Sequence, residues 1–210
     1  IVSIGNWVIN EACRQLRQWH LQGHPHWSVA VNLSSLQFEQ SNLVETVTEA
    51  LAKHEIPPEL LTLEVTETTA MRDPDESVRI LTELTKLGVK ASIDDFGTGY
   101  SSLLYLKRLP ASELKIDRAF VNELQHHSED ATIVSAIVAL AQSLQLKVVA
   151  EGVETAEQQA FLTGLGCNTL QGYLLGKPIP PERISELDNF VGTQENELKT
   201  ELHTVNSSLT

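Results

Sequence analysis

The chain has 210 residues, 41% hydrophobic and 20% charged, enough for one large domain or two small ones with a real core, which excludes a mainly disordered chain. No apolar run reaches the ~18–20 residues of a membrane-spanning helix. Against 28 Asp and Glu stand 15 Lys and Arg, a net charge of −13 that leaves no electrostatic footprint for a DNA or RNA duplex.

The opening IVSIGNWVIN has neither a Met nor a basic n-region, so it reads as a piece of a longer protein and not as a signal peptide. A first helix is expected on the stripe Trp7, Val8, Ala12, Leu16 and Trp19. His20, His24 and His26 then cluster around Pro25 and read as a surface turn. The first strand is expected over 28–34 (SVAVNLS), ending in Asn32 and Ser34. A helix carrying Leu43, Val44, Val47, Ala50 and Leu51 follows. The second strand, 61–67 (LTLEVTE), carries Glu64 and Glu67. Asp73 as N-cap and Pro74 at the first helical position start the next helix, which Gly88 stops.

The third strand, 89–95 (VKASIDD), ends in Asp94 and Asp95 and runs into FGTGYSSL, where Gly97 and Gly99 permit a tight turn close to a ligand. A short helix over 101–108 ends before Pro110. The fourth strand, 113–117 (ELKID), carries Lys115 and Asp117. Ile133, Val134, Ile137, Ala141 and Leu144 mark a further helix. The fifth strand, 147–152 (KVVAEG), is followed by Glu154 and by a capping box of Thr155 and Gln158 whose helix ends near Gly164. The sixth strand, 169–173 (TLQGY), carries Gln171, and Pro180 and Pro181 open a last helix. This β-α alternation predicts an α/β fold with parallel strands. Residues 1–191 are expected to form the domain and 192–210 a polar C-terminal tail.

The polar residues of these strands gather at their C-terminal ends, where a parallel barrel builds its active site. A single acid there ordinarily caps a helix, and Glu154 fits that role. Glu64 and Lys115 do not, since they lie inside apolar runs where an unpaired charge is unfavourable. Carboxylates with an amide oxygen are hard ligands suited to Mg²⁺ or Mn²⁺. An adjacent Asp pair can serve two cations that clamp the attacking and leaving oxygens of a phosphoryl displacement, with a lysine neutralising charge in the transition state. The constellation reads as metal-dependent cleavage of a phosphate ester. Asp95–Phe96–Gly97 spells a kinase motif, but neither a Gly-rich nucleotide loop nor a His-Arg-Asp loop accompanies it. Cys13 and Cys167 read as bystanders in a reducing compartment.

The stretches VNLSSLQF, LEVTET, SIDDFGTGYSSL, LKIDRAFV, VVAEGVET and LQGYLLGKP together resemble the EAL-domain family, which hydrolyses the bacterial second messenger cyclic di-GMP. The resemblance implies a modified (β/α)8 TIM-like barrel with about six of its eight strands present here. By motif, Asn32, Glu64 and Asp94 match ligands of a first cation, and Asp94, Asp95 and Glu151 those of a second. Lys115 matches the lysine at the catalytic water and phosphate, and Glu151 stands beside it in the catalytic set. Glu67 matches the glutamate that steadies the loop around Thr98, and Gln171 a residue near the substrate. The implied product is linear pGpG. Glu49–Ala50–Leu51 spells the family tripeptide but falls within a helix, so the naming motif and a nearby substrate-gripping arginine are expected upstream of Ile1. By itself the chain is expected to be a weak catalyst.

Two alternatives stand beside the phosphodiesterase: a degenerate EAL-like receptor or protein-interaction module, and a barrel hydrolase acting on another phosphodiester. The resemblance also implies a cytoplasmic domain and a parent, soluble or membrane-anchored, with an upstream sensor or diguanylate-cyclase-like domain. A homodimer is among the assemblies it allows.

Overall fold

The computed structural model describes residues 2–99, 103–125 and 128–184. Its sheet contains β1 (Val29–Asn32), β2 (Leu61–Thr66), β3 (Lys90–Phe96), β4 (Glu113–Ile116), β5 (Lys147–Ala150) and β6 (Thr169–Leu170). All neighbours are parallel and the spatial order is the sequence order. Each crossover therefore advances one strand in the same direction, and the sheet curls into part of a barrel. This is the incomplete TIM-like α/β barrel that the alternation and the motifs imply.

The helices are α1 (Val2–Leu21), α2 (Ser35–Phe38), α3 (Leu43–His54), α4 (Glu67–Arg72), α5 (Pro74–Lys86), α6 (Leu103–Leu106), α7 (Arg118–Asn122), α8 (Ser128–Ser143) and α9 (Ala156–Leu165). Residues 101 and 102 of the helix expected over 101–108 lie outside the described residues. The helix-facing side of the central strands is buried. Leu61, Leu63, Val65, Ile93, Leu114, Ile116, Val148 and Ala150 are fully buried. Their alternates Thr62, Glu64, Lys90, Glu113, Lys115, Lys147, Val149 and Thr169 line a cavity of about 530 Å³ on the concave side. Period-two alternation thus separates an apolar helix-facing layer from a polar interior.

Local signals set most boundaries. Asp73 caps α5 by accepting from the Glu76 N–H at 3.2 Å, with Pro74 at its first position. Thr155 and Gln158 form the capping box of α9. That helix runs past Gly164 to Leu165, because Gly166 (φ 90°) takes the left-handed C-cap. The first-helix stripe is shifted from expectation. Ile9, Cys13, Leu16 and Trp19 are buried, whereas Trp7 is 61% exposed. Glu49–Ala50–Leu51 lies within α3, with Ala50 and Leu51 in the core.

Several expected strands are shorter than the apolar pattern, since the chain turns at polar rim residues. Glu67 is the first residue of α4, capped by Thr66, and Asp117 caps α7. Residues Ile1–Gly176 form one compact unit and Lys177–Thr210 a second. Within the second, Pro181–Arg183 is a 3₁₀ turn at the start of the expected last helix, and the rest of that helix and the predicted tail 192–210 lie outside the described residues. Among the described residues no helix is long and apolar enough to cross a membrane.

Candidate active site at the C-terminal rim

Asp94 and Asp95 are consecutive on one strand, and consecutive side chains ordinarily point to opposite faces. Two features change that here. The β3–β4 register shifts between Ile93 and Phe96, and Asp95 adopts a left-handed conformation (φ 53°). The irregularity acts as a bulge. It brings carboxylate oxygens of Asp94, Asp95 and Glu151 within 4.8 Å of one another. Phe96 then pairs with Ile116, a helix-facing residue, and is itself buried.

Lys115 stands at the centre of the rim and is 4% exposed. Its Nζ lies 2.7 Å from Glu151 Oε1, 2.9 Å from Glu64 Oε2 and 3.1 Å from Asp94 Oδ1, which matches the three protons of an ammonium. Burial by itself would depress the Lys115 ammonium, but its bonds to Glu151 and Glu64 outweigh burial and hold it well above the usual lysine value. Glu64 nevertheless keeps a raised carboxyl, first through burial and then through Asp94 and Glu151, because one ammonium is shared among three acids. Asp95 is raised as well, by burial, by the Asp94 charge and by its contact with Asp117. Thus Glu64, Asp94 and Glu151 crowd around a single lysine with Asp95 and Asp117 beside them, and the rim holds more negative than positive charge. That imbalance, with oxygen donors only, fits a divalent cation bound by Asp94, Asp95 and Glu151.

The remaining expected residues take distinct places. Asn32 is in register beside Glu64 at the end of β1. Glu67 does not join the lysine cluster. It is 1% exposed, and its Oε2 accepts from the Gly97 N–H at 2.8 Å. Its Oε1 has no hydrogen-bond partner among the described residues and lies 3.0 Å from where a Cβ on Gly99 would sit. Gln171 follows β6, its backbone N–H bonded to the Ala150 carbonyl at 2.8 Å. The residue borders both the barrel interior and a rim cavity of about 280 Å³ that also touches Glu151. Sequence reasoning gave no role to Asp117 or Arg118. Asp117 presses on Asp95 while its Oδ1 accepts from the Ala119 N–H at 2.7 Å, and Arg118 borders the rim cavity. The signal for both was their place two and three residues after Lys115 in LKIDR.

The other candidates stay apart from this chemistry. His24 stacks on Trp27 at 3.9 Å, and Trp27 meets Trp19 edge-on at 5.5 Å, so part of the histidine segment packs as an aromatic cluster. Among the described residues, the trio Asp94, Asp95 and Glu151 is the one His/Cys/Asp/Glu set gathered closely enough to hold a metal ion. Burial pushes both the Cys13 and Cys167 thiols up to about 11, which disfavours the nucleophilic thiolate.

A curled parallel β/α sheet with its acids and one buried lysine at the carboxyl rim defines the class: a barrel with an acidic polar centre. The profile of the EAL domain matches residues 1–178, and the chain belongs to the EAL domain family. It is 65% identical over 184 residues to the bifunctional diguanylate cyclase/cyclic di-GMP phosphodiesterase MucR of Pseudomonas aeruginosa, covering 88% of this chain and 27% of MucR. To the cyclic di-GMP phosphodiesterase NbdA of the same organism it is 43% identical over 208 residues, covering 99% of this chain and 26% of NbdA. The chain therefore spans about a quarter of the length of these curated relatives. A solved structure of the MucR phosphodiesterase in complex with c-di-GMP superposes with a TM-score of 0.86, covering 88% of this chain and 74% of that one. The EAL domain of Mycobacterium smegmatis DcpA gives 0.82 at 40% identity, with 87% and 82% covered.

Proposed function

We propose that the chain is the catalytic part of a metal-dependent phosphodiesterase that opens cyclic di-GMP to linear pGpG. The observation that carries this reading is the buried Lys115 held among Glu64, Asp94 and Glu151, beside an Asp95 carboxylate crowded by Asp94 and Asp117. Family membership and the names of MucR and NbdA support the substrate.

Asn32, Glu64 and Asp94 would hold one cation, and Asp94, Asp95 and Glu151 the other, as Mg²⁺ or Mn²⁺. Such ions supply Lewis acidity and a water of lowered pKa when bound. The protein residues do the rest. Lys115 presents a fixed positive charge where the phosphate charge builds up, and its burial strengthens that interaction. Glu151 and Glu64 keep the ammonium in one place, so little reorganisation is needed at the reaction. Glu67 fixes the Gly97 backbone and with it the loop that follows the Asp pair. Gln171 borders the bound dinucleotide. The water oxygen bonds to phosphorus, the bond from phosphorus to the 3′ oxygen breaks, and that oxygen takes a proton. A 5′-phosphate and a free 3′-hydroxyl result, which is pGpG. The domain acts in the cytoplasm, within a longer protein carrying a sensor or diguanylate-cyclase-like domain.

The test is chromatographic separation of products after the purified full-length protein meets cyclic di-GMP with Mg²⁺ or Mn²⁺. The expected product is pGpG, with no turnover in EDTA. Binding without turnover points to a receptor, and cleavage confined to other phosphodiesters refutes the substrate.

A further inference from the structure

Two short helices stand at the rim after the first two strands, α2 behind Asn32 and α4 beginning at Glu67, and side-chain contacts join them at both ends. Thr66 caps α4, and its hydroxyl donates to Thr69 Oγ1 at 2.9 Å. The Thr69 proton is thereby left for Ser35 Oγ, 2.8 Å away at the start of α2. At the far ends of the two helices, the Arg72 guanidinium donates to the Glu39 carboxylate.

These contacts differ in weight. The Arg72 and Glu39 side chains are 56% and 48% exposed, and an ion pair so open to water contributes little. Thr69 is 5% exposed, and a buried hydroxyl is costly to leave without its partner. The helices have 4 and 6 residues, too few to hold a position by their own backbone bonds. The hydroxyl of Thr69 therefore sets where α2 lies against α4.

Each helix carries a part of the rim. Ser34 caps α2 through its box with Gln37, which is 3% exposed and packs its carboxamide against Gly5 of α1. Asn32 lies two residues before that cap, and the Leu33 N–H between them is bonded to the Glu64 carbonyl at 2.9 Å. On the other side, α4 opens with Glu67, whose Oε2 accepts from the Gly97 N–H at 2.8 Å. A slip of one helix against the other would displace Asn32 relative to the loop that follows the Asp pair. We propose that Thr69 is a positioning residue: its hydroxyl ties α2 to α4 and keeps Asn32 and the Glu67–Gly97 bond in one frame. It acts through those groups and not on the reacting atoms. The proposal rests on the phosphodiesterase reading above and adds to it a residue that the ligand motifs do not include.

The experiment uses the full-length protein as wild type, Thr69→Val, Thr69→Ser, Ser35→Ala and the Ser35→Ala/Thr69→Val double variant. The readouts are amide hydrogen exchange of the peptide containing Gly97, without cation or substrate, and steady-state kcat and KM for cyclic di-GMP in Mg²⁺. Thr69→Val keeps the shape and removes the hydroxyl. Gly97 exchange should quicken and kcat should fall, each by about 5- to 10-fold, the weight of one hydrogen bond, with KM nearly unchanged. Thr69→Ser should restore both. Ser35→Ala opens the same bond from the α2 side and should match Thr69→Val, and the double variant should lose no more than either single one. If Thr69→Val does not fold, Ser35→Ala decides. Wild-type exchange and kcat in Thr69→Val, a Thr69→Ser no better than Thr69→Val, or additive losses in the double variant each overturn the proposal and leave the phosphodiesterase reading standing. A wild type that does not hydrolyse cyclic di-GMP overturns that reading, and Gly97 exchange then decides on the tie alone.

Discussion

Replacing Lys115 by methionine separates the electrostatics of the rim from its packing. The side chains are close in length, so the variant removes one ammonium and leaves little void. Three carboxylates lose their common partner, and two of them, Glu64 and Asp94, are each 7% exposed. Removing one member of a buried ion pair destabilises by about 3–5 kcal/mol. For a domain of this size that corresponds to a fall in Tm of roughly 6–20 °C.

The loss depends on pH with a definite sign. Glu64 already has a raised carboxyl, and loss of the lysine removes its main stabilising partner. A carboxyl raised in the folded state binds more protons folded than unfolded, so stability falls as pH rises through the raised range and returns as pH falls. Lys115 itself, raised in the folded state, contributes stability below the ordinary lysine pKa and loses it only in strong alkali. Thermal melts of the barrel transition in EDTA at pH 7.5 and pH 5.5 are the assay. The variant is expected to melt lower at pH 7.5 and to recover part of the gap at pH 5.5. Equal melting at pH 7.5, or a gap that widens on acidification, refutes this account of the rim.

Three further outcomes follow from the same geometry. Asp94→Asn in the full-length protein is expected to lower turnover by more than about 100-fold, beyond the loss seen when only supporting residues of a metal site are changed; near-normal steady-state kinetics would remove Asp94 from the cation site. Because the Asp95 carboxyl is raised by burial and by its acidic neighbours, protons compete with Mg²⁺ there, so calorimetric Mg²⁺ affinity should rise between pH 5.5 and 7.5; a flat profile contradicts this. Gly152→Ala places a Cβ 2.6 Å from Arg118 Cβ on a backbone at φ 72°, and urea denaturation should record a loss of about 1–3 kcal/mol. An unchanged urea midpoint would show that the loop relaxes freely.

The fold was readable because strands and helices differ in period, and because Asp73–Pro74 and Thr155–Gln158 carry their capping chemistry in sequence. The first-helix stripe was misplaced because glycine and aromatic residues near its start allow more than one apolar face; packing of Gly5 against Gln37 selects the one through Ile9 and Cys13. The short helices α2, α4 and α7 were missed, since a helix of one or two turns has no sustained period. Convergence of Glu64, Asp94, Lys115 and Glu151 was legible from their common strand position. What was not legible is the backbone: nothing in the letters DD announces the left-handed Asp95. Nor could the order of residues indicate that Arg118 and Glu154, 36 positions apart, border one cavity.

The bulge in β3 also constrains length. Substituting Asp94 or Asp95 changes a ligand atom and leaves the path of the chain alone. Deleting either one restores simple alternation along the strand with Phe96 still in the helix layer, but it removes the bulge and leaves a single aspartate at the rim. The segment therefore tolerates exchange of residues far better than loss of one, and natural variation in this strand is expected to appear as replacements at fixed spacing, with insertions and deletions confined to the loops at the opposite end of the barrel.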